Sequence, residues 1–423
     1  MAPDRLALVP HCPWLPMTRV RRSGITSSPG RTGTAMAQRR STPRVLILVN
    51  DLALGGAQRV VQAQAAALDR ARFIAHVASL ELLPGGPLAR ELERAGVPVH
   101  RLRRRGEPRL MALPRLLSLL RFLRPELVHT HLAAAGVVGR VAARRAAVPR
   151  VASTLHNLSD WEQKRAHPLR LMDRRTLPLA DGIVAVSDAV RGAFARACPR
   201  LAARAVTVRN GVDVAAFACG EGDRRAARAT LGFGAGELVV AAVARLESRK
   251  GLDILVEAAA IAVAAGVPLR LLVVGEGPER GRLQRLAHAR GLTGRVHWAG
   301  GQDDVRPHLA AADLFAAPSR TEGLGVSVIE ALAAGVPALA SRVGGLPELL
   351  EGAPCGRLLP AGEPVAWAVT IAELAADRAA LRRMAAAAPA HAARFSLEAS
   401  ALALQAVYDR LLGAASPALA EAA

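Results

Sequence analysis

The chain has 423 residues and a mass of 44.2 kDa, enough for two or three domains of about 150 residues each. Its longest uncharged run, residues 6–18, is interrupted by three prolines, so the sequence predicts no membrane-spanning helix, which needs about 20 apolar residues. The four cysteines lack CxxC spacing, which disfavours a disulfide framework or a zinc site and favours a reducing cytosol.

The net charge of +21 is typical of proteins that bind nucleic acid or an anionic membrane. All but two of the 56 basic residues are arginine, because only Lys164 and Lys250 are lysine, and such a skew is typical of a GC-rich coding sequence. Aromatic residues make up only 3%, which leaves little for base stacking. We therefore expect no nucleic-acid partner.

Residues 1–43 carry seven arginines against the single acid Asp4, and Ser, Thr, Gly and Pro break any apolar period. This composition predicts a disordered basic extension. Met36 lies just before the first predicted strand, so we favour the hypothesis that translation starts there. Mass spectrometry of the native N-terminus would test it.

From Arg44 onward, short β-branched runs alternate with helical patterns, which predicts an α/β fold with parallel, doubly wound sheets. A weaker segment at about 214–236 separates two such series. They predict two Rossmann-like domains, at 44–212 and 213–390, with a ligand site in the crevice between them and a final amphipathic helix within 391–415. The predicted strands are 44–50, 73–80, 97–102, 127–131, 150–156, 182–187 and 205–210, then 238–246, 269–275, 295–300, 313–319 and 336–341.

Gly55 and Gly56 lie where the first predicted strand leads into its helix, so backbone N–H groups there can approach an anion. A tight structural turn would use the same residues. The spacing is not GxGxxG, and the glycines of 275–281 miss that spacing too, which disfavours a dinucleotide oxidoreductase.

Arg245 lies at the end of the strand predicted at 238–246, and Lys250 follows at the start of the next helix. Two cations at the carboxyl edge of a parallel sheet can hold a diphosphate and stabilise its charge as it leaves. A pair of solvated loop charges is the alternative.

Two glutamates frame the strand-to-helix junction that follows the strand predicted at 313–319. Glu322 falls in the loop, Gly323 and Gly325 free the backbone to approach a ligand, and Glu330 lies just over one turn into the helix. One carboxylate can therefore face a sugar while the other accepts hydrogen bonds from a ribose diol.

These motifs, in this order, resemble the retaining glycosyltransferases of the GT-B fold, specifically glycosyltransferase family 4. The similarity covers about residues 44–408, and its most specific part is the pair of glutamates with the glycines between them. The matching stretches are GGAQRVV, VHTH, VRNGVDVAAF, ARLESRKG, LLVVGEGP, EGLGVSVIE and ALAAGVPALASRVGGLPELL.

The resemblance implies a role for each matching residue. Arg245 and Lys250 would bind the diphosphate, Glu330 the nucleotide ribose, and Glu322 the donor sugar. The implied backbone contacts to donor or acceptor come from Gly55, Gly56, Gly323, Leu324 and Gly325. In this family a histidine at the end of the fourth strand reaches the transferred sugar; we expect His131, with His129 as the alternative.

The resemblance also implies a retaining transfer of a hexose-type sugar from a UDP- or GDP-sugar. The nucleotide sugar is a substrate, so no cofactor is expected. The chain contains no Asp-x-Asp, and we expect no metal and full activity in EDTA. Another GT-B activity (a nucleotide-sugar epimerase or a glucan synthase) and a non-catalytic nucleotide-sugar-binding protein are the alternatives.

Two basic stretches, 101–125 and 163–176, fall on the acceptor side of this family. The first combines arginines with recurring Leu, Met and Phe, so it can lie on an anionic membrane or simply pack against the sheet. We expect a cytoplasmic protein that meets a glycan or lipid-linked acceptor, peripheral at the cytoplasmic membrane face, in cell-surface polysaccharide or glycolipid synthesis.

Overall fold

The structure is a computed structural model that describes residues 42–53, 55–81, 86–103, 107, 111–158 and 168–413. Two all-parallel sheets organise this part of the chain. The first has the order β3-β2-β1-β4-β5-β6-β7 and the second β10-β9-β8-β11-β12-β13. We call each sheet with its flanking helices the first and the second domain.

The strands of the first sheet are β1 (Arg44–Val49), β2 (Ile74–Ser79), β3 (Val99–Arg101), β4 (Leu127–His131), β5 (Arg150–Leu155), β6 (Gly182–Ala185) and β7 (Ala205–Thr207). Those of the second are β8 (Leu238–Val243), β9 (Leu269–Val274), β10 (Val296–Gly300), β11 (Leu314–Ala317), β12 (Ala338–Ser341) and β13 (Gly356–Leu359). Central strands such as β1 and β8 are buried almost throughout, because helices cover both faces of each sheet.

The helices of the first domain are α1 (Gly56–Ala67), α2 (Pro87–Arg94), α3 (Ala112–Leu123), α4 (Ala133–Arg145), α5 (Pro168–Thr176) and α6 (Asp188–Ala197). The remaining helices are α7 (Val214–Phe217), α8 (Glu221–Leu231), α9 (Leu252–Ala264), α10 (Arg280–Ala289), α11 (Arg306–Ala310), α12 (Val326–Ala333), α13 (Leu346–Leu350), α14 (Pro364–Ala376), α15 (Arg378–Ala392) and α16 (Leu397–Leu412). Among the described helices, none is both long and apolar enough to cross a membrane.

Two local features differ from the sequence prediction. The weak segment at 214–236 forms the helices α7 and α8, and Arg228 of α8 is buried because it pairs with Asp313 at 3.0 Å. Strand β13 was not predicted, because it is short and carries a charged residue, Arg357. The disordered extension and the start at Met36 concern residues that lie outside the described part of the chain, apart from 42 and 43.

The last helix, α16, packs against the first domain. Leu404, Val407 and Tyr408 join the apolar cluster that lies beneath β1 and α1. The Tyr408 hydroxyl is 2.7 Å from His129 Nδ1, and Gln64 of α1 donates to Ser400 at 2.9 Å. The chain therefore crosses between the domains twice, once before α7 and once before α16.

We predict that α16 contributes strongly to the stability of the whole chain. Leu404→Ala should lower the free energy of unfolding by about 2–5 kcal/mol, because this leucine is 1% exposed in the first-domain core. Leu402, on the outer face of the same helix, is 56% exposed, so Leu402→Ala should change the free energy of unfolding by less than about 0.5 kcal/mol. Urea denaturation measures both, and equal effects would contradict the packing of α16 described here.

Candidate active site

The carboxyl ends of the two sheets meet at the loop between β11 and α12. A Cβ added to Gly323 would lie 2.2 Å from the backbone oxygen of His156, which follows β5. The Ser187 hydroxyl, at the start of α6, donates to the Gly323 carbonyl at 2.7 Å. Only a glycine permits so close an approach of two backbones, so this contact sets the distance between the domains at the cleft.

Glu322, next to that contact, forms an ion pair with Lys250. The Lys250 Nζ lies 2.5 Å from Glu322 Oε2, and the Ser319 hydroxyl donates to the same oxygen at 3.2 Å. Burial alone would raise the pKa of Glu322, but the charge and hydrogen bond of Lys250 outweigh it, so the pKa is lowered. The pairing follows from topology, since β8 and β11 are neighbours in the sheet and both residues follow their carboxyl ends.

Arg245 lies two residues beyond the end of β8 rather than within it. Its guanidinium is 3.1 Å from Glu247 Oε1, and its side chain is 61% exposed. Arg249 pairs with the other oxygen of Glu247 at 2.7 Å. The loop that leads into α9 therefore carries three cations, of which Lys250 is held by Glu322 and two share Glu247.

Glu330 is buried on α12, one of the most apolar helices of the second domain. Burial raises its pKa to about 7, against a smaller opposing effect of Arg59. A carboxyl with this pKa is partly protonated at neutral pH and is poised to accept hydrogen bonds once ionised.

Arg59, on α1 of the first domain, is a cleft residue that the sequence analysis missed. Its guanidinium donates to the backbone oxygen of Asp303 in the second domain, so it spans the cleft. The signal was present in the sequence, since Arg59 lies one helical turn after Gly55, whose carbonyl accepts from the Arg59 N–H at 2.9 Å.

Apart from Gly323, the glycine and leucine positions named from the sequence differ in how they can contact a ligand. Gly55 precedes α1, and a Cβ added to Gly56 would meet nothing within 4 Å, so the surface there is open. Gly325 has a φ of +98°, which favours glycine, and it precedes α12. The Leu324 side chain is 1% exposed, so only its backbone can face a ligand.

Three histidines lie together under the cleft. Both ring nitrogens of His129 are used, by the Tyr408 hydroxyl and the Thr154 hydroxyl, each at 2.7 Å. His131 is equally buried, and its Nδ1 lies 3.0 Å from Nε2 of His156. His156, which the sequence analysis missed, is half-buried and lies against Gly323, so it stands between His131 and the loop of Glu322.

Burial keeps these histidines uncharged at neutral pH. It lowers the pKa of His129 to about 3 and that of His156 to about 4, and it lowers the pKa of His131 well below its usual value. Neutral rings in this chain of contacts donate and accept hydrogen bonds without adding charge. The signal for His156 was its position as the last residue of the strand predicted at 150–156, the same position that His131 occupies on β4.

Two family models match the chain. Residues 54–216 match "Glycosyltransferase Family 4" and residues 223–391 match "Glycosyl transferases group 1". The D-inositol 3-phosphate glycosyltransferase of Segniliparus rotundus is 36% identical over 309 residues, which cover 70% of this chain and 68% of that protein. The Mycolicibacterium vanbaalenii protein of the same name is 34% identical over 308 residues, with coverages of 68% and 67%.

Solved structures with the same architecture include Anabaena Alr3699/HepE. Its complex with UDP-glucose is 26% identical, with a TM-score of 0.75, and the match covers 87% of this chain and 99% of that one. Its complex with UDP and glucose has a TM-score of 0.77 at 25% identity, with coverages of 87% and 100%. The chain thus belongs to glycosyltransferase family 4, the group 1 glycosyltransferases of the GT-B fold.

Proposed function

We propose that this glycosyltransferase moves a hexose-type sugar, with retention, from a UDP- or GDP-sugar to a hydroxyl of a glycan or lipid-linked acceptor. The observation that carries the proposal is the Lys250–Glu322 pair, held beside His156 at the meeting point of the two sheets. The UDP and UDP-glucose complexes of the Anabaena neighbour favour UDP as the nucleotide. We further propose a role in cell-surface polysaccharide or glycolipid synthesis.

In this proposal the second domain binds the donor. Lys250 and Arg245 bind the diphosphate, Glu330 accepts hydrogen bonds from the ribose, and Glu322 contacts the donor sugar. An arriving diphosphate competes with Glu322 for Lys250, which frees that carboxylate for a sugar hydroxyl. The open surface at Gly56 and the backbone of Gly55 face the phosphates or the acceptor, as do the backbone groups of residues 323–325.

The reaction we propose needs no dedicated protein base. The bond between the anomeric carbon and the phosphate oxygen breaks, the acceptor oxygen bonds to the same face, and its proton passes to the departing phosphate oxygen. Neutral His156 hydrogen-bonds the sugar beside this centre, a role for which we propose it in preference to the deeper His131 and His129. Stabilisation of the leaving diphosphate by Lys250 and Arg245 then supplies most of the rate.

We predict that Lys250→Ala lowers kcat/KM for UDP-sugar turnover by about 100- to 1000-fold, the usual cost of losing one contact to a developing charge. Arg290→Ala is the control, because Arg290 pairs with Glu257 on an exposed surface, and it should act within about twofold. The rate of UDP release measures the turnover of both variants, and the native chain is assayed with and without EDTA. Activity of Lys250→Ala within tenfold of the native chain, or loss of native activity in EDTA, would contradict the metal-independent site.

We predict that Glu330→Gln stabilises the free protein at alkaline pH while weakening nucleotide binding. The pKa of this carboxyl is about 7 when folded and about 4.5 when unfolded, so ionisation favours the unfolded chain as pH rises through that window. Above pH 8 the free energy of unfolding of the variant should therefore exceed that of the native chain by about 3 kcal/mol more than it does at pH 4.5.

Chemical denaturation at pH 4.5 and pH 8 measures the first effect of Glu330→Gln, and calorimetric titration with UDP the second. Glu373→Gln, which changes an exposed carboxylate that pairs with Arg357, is the control and should alter neither quantity. An unchanged UDP affinity in Glu330→Gln would contradict the proposed contact between Glu330 and the ribose.

We also propose that the exposed face of α3 contacts an anionic membrane. The leucines of α3 pack into the first domain, as the alternative interpretation of this helix required. Phe122, 83% exposed, and the neighbouring exposed Arg121 and Arg124 face outward. Residues 104–106 and 108–110 of the first basic stretch and 163–167 of the second lie outside the described part of the chain.

We predict that the full chain floats with vesicles that contain phosphatidylglycerol at low salt, and that Phe122→Ala reduces the floating fraction by at least about half. Leu402→Ala removes an exposed leucine from α16 and serves as the control. Flotation that does not depend on anionic lipid would remove the proposal.

Two measurements distinguish the proposed transferase from the other enzyme activities and from a non-catalytic binding protein. Thermal shifts with UDP, GDP and ADP identify the nucleotide, since a ligand that binds the native state raises its apparent stability. Sugar transfer to added acceptor then distinguishes a transferase from an epimerase or a binding protein.

A further inference from the structure

The turn that carries Lys250 lies against the loop after β11, which carries Glu322. It consists of Ser248–Lys250, a single turn of 3-10 helix between β8 and α9, and we call it the Lys250 turn. Gly251 ends the turn with a φ of +64°, and a Cβ added there would lie 2.0 Å from the backbone oxygen of Pro318. Only a glycine fits at this φ and this distance. The loop after β11 thus contacts the end of the Lys250 turn.

Arg320, in the same loop, contacts the turn through both its backbone and its side chain. Its N–H donates to the Arg249 carbonyl and its Nη1 donates to the Ser248 carbonyl, each at 2.8 Å. The guanidinium also binds both carboxylate oxygens of Asp253, in the first turn of α9, at 2.8 Å each. A bidentate ion pair of this kind fixes orientation as well as distance. Arg320 therefore spans the Lys250 turn from its first residue to the helix that follows.

Arg320 and Asp253 hold each other in their charged forms. The hydrogen bond from Arg320 lowers the pKa of Asp253, and the same bond raises the pKa of Arg320, so the pair is ionised at neutral pH. In the described part of the chain, the hydrogen bonds of the Arg320 side chain go to Ser248 and Asp253, and not to Lys250 or Glu322. An effect of this side chain on the site therefore passes through the Lys250 turn.

We propose that Arg320 is a positioning residue for donor binding, which acts by holding the Lys250 turn against the loop that carries Glu322. The proposal rests on the function proposed above, in which Lys250 binds the diphosphate. None of the three residues of the Lys250 turn is buried, so side-chain packing alone does not hold the turn in place. Without Arg320 the arriving ligand would have to order the turn, and that ordering would reduce its affinity.

The test measures the binding of UDP and of GDP to the full chain by calorimetric titration, so it needs no acceptor. Arg320→Ala should weaken the binding of the nucleotide that the native chain prefers by about tenfold, with little change in melting temperature. Arg357→Ala is the matched control, because Arg357 is 43% exposed against 41% for Arg320 and pairs with Glu373 at 2.8 Å. It should change the affinity by less than about twofold. An unchanged affinity in Arg320→Ala would overturn the proposal.

Two further variants distinguish positioning from direct attraction between the Arg320 charge and the diphosphate. Asp253→Asn removes a negative charge, so direct attraction predicts tighter nucleotide binding. Positioning predicts weaker binding, because the bidentate pair is lost. Arg320→Lys keeps the charge but cannot reproduce the bidentate geometry, so its affinity should stay within about threefold of that of Arg320→Ala. Native or tighter binding by Asp253→Asn, or full recovery in Arg320→Lys, would overturn the proposal.

A double variant shows whether Arg320 acts through Lys250. In the Lys250→Ala background the turn no longer carries its ammonium group, so adding Arg320→Ala should weaken nucleotide binding by less than about twofold. An additional loss of about tenfold would mean that the two residues act independently, and it would overturn the proposal. If Lys250→Ala weakens binding and Arg320→Ala does not, this inference alone fails. Unchanged binding in Lys250→Ala, or no nucleotide binding by the native chain, would contradict the proposed function as well.

Discussion

The whole site depends on the contact between the backbones of Gly323 and His156. It brings the end of β5 in the first domain against the loop after β11 in the second. A second connection lies close by, where Glu348 of α13 accepts from the Ala189 N–H at 2.8 Å and also pairs with Arg209. Because these contacts hold the two sheet edges together, Glu322 and His156 share one cleft.

Several charged groups in the cleft are paired before any ligand arrives. Lys250 is paired with Glu322, Arg245 and Arg249 share Glu247, and burial keeps the nearby histidines neutral. Elsewhere arginines serve the fold, as where Arg228 is buried against Asp313. A ligand that binds Lys250 therefore has to replace Glu322 as its partner.

Most strands and the Lys250–Glu322 neighbourhood could be predicted from the sequence, because apolar runs and sheet topology depend on local pattern. The choice between His129 and His131 could not, since residues two apart lie on the same face of a strand, and the two rings lie 4.2 Å apart on β4. The contact of Arg59 with Asp303 joins residues 244 positions apart, so it depends on how the domains close. The same holds for His156, whose importance comes from Gly323 lying against it.

The return of α16 to the first domain has a consequence for synthesis on the ribosome. Leu404, Val407 and Tyr408 complete a core whose other buried members are made in the first half of the chain. The second domain must be translated before they emerge, a delay on the order of ten seconds or more. During that interval α16 does not yet cover one face of the first sheet or His129. The nascent first domain therefore exposes apolar surface to which chaperones can bind.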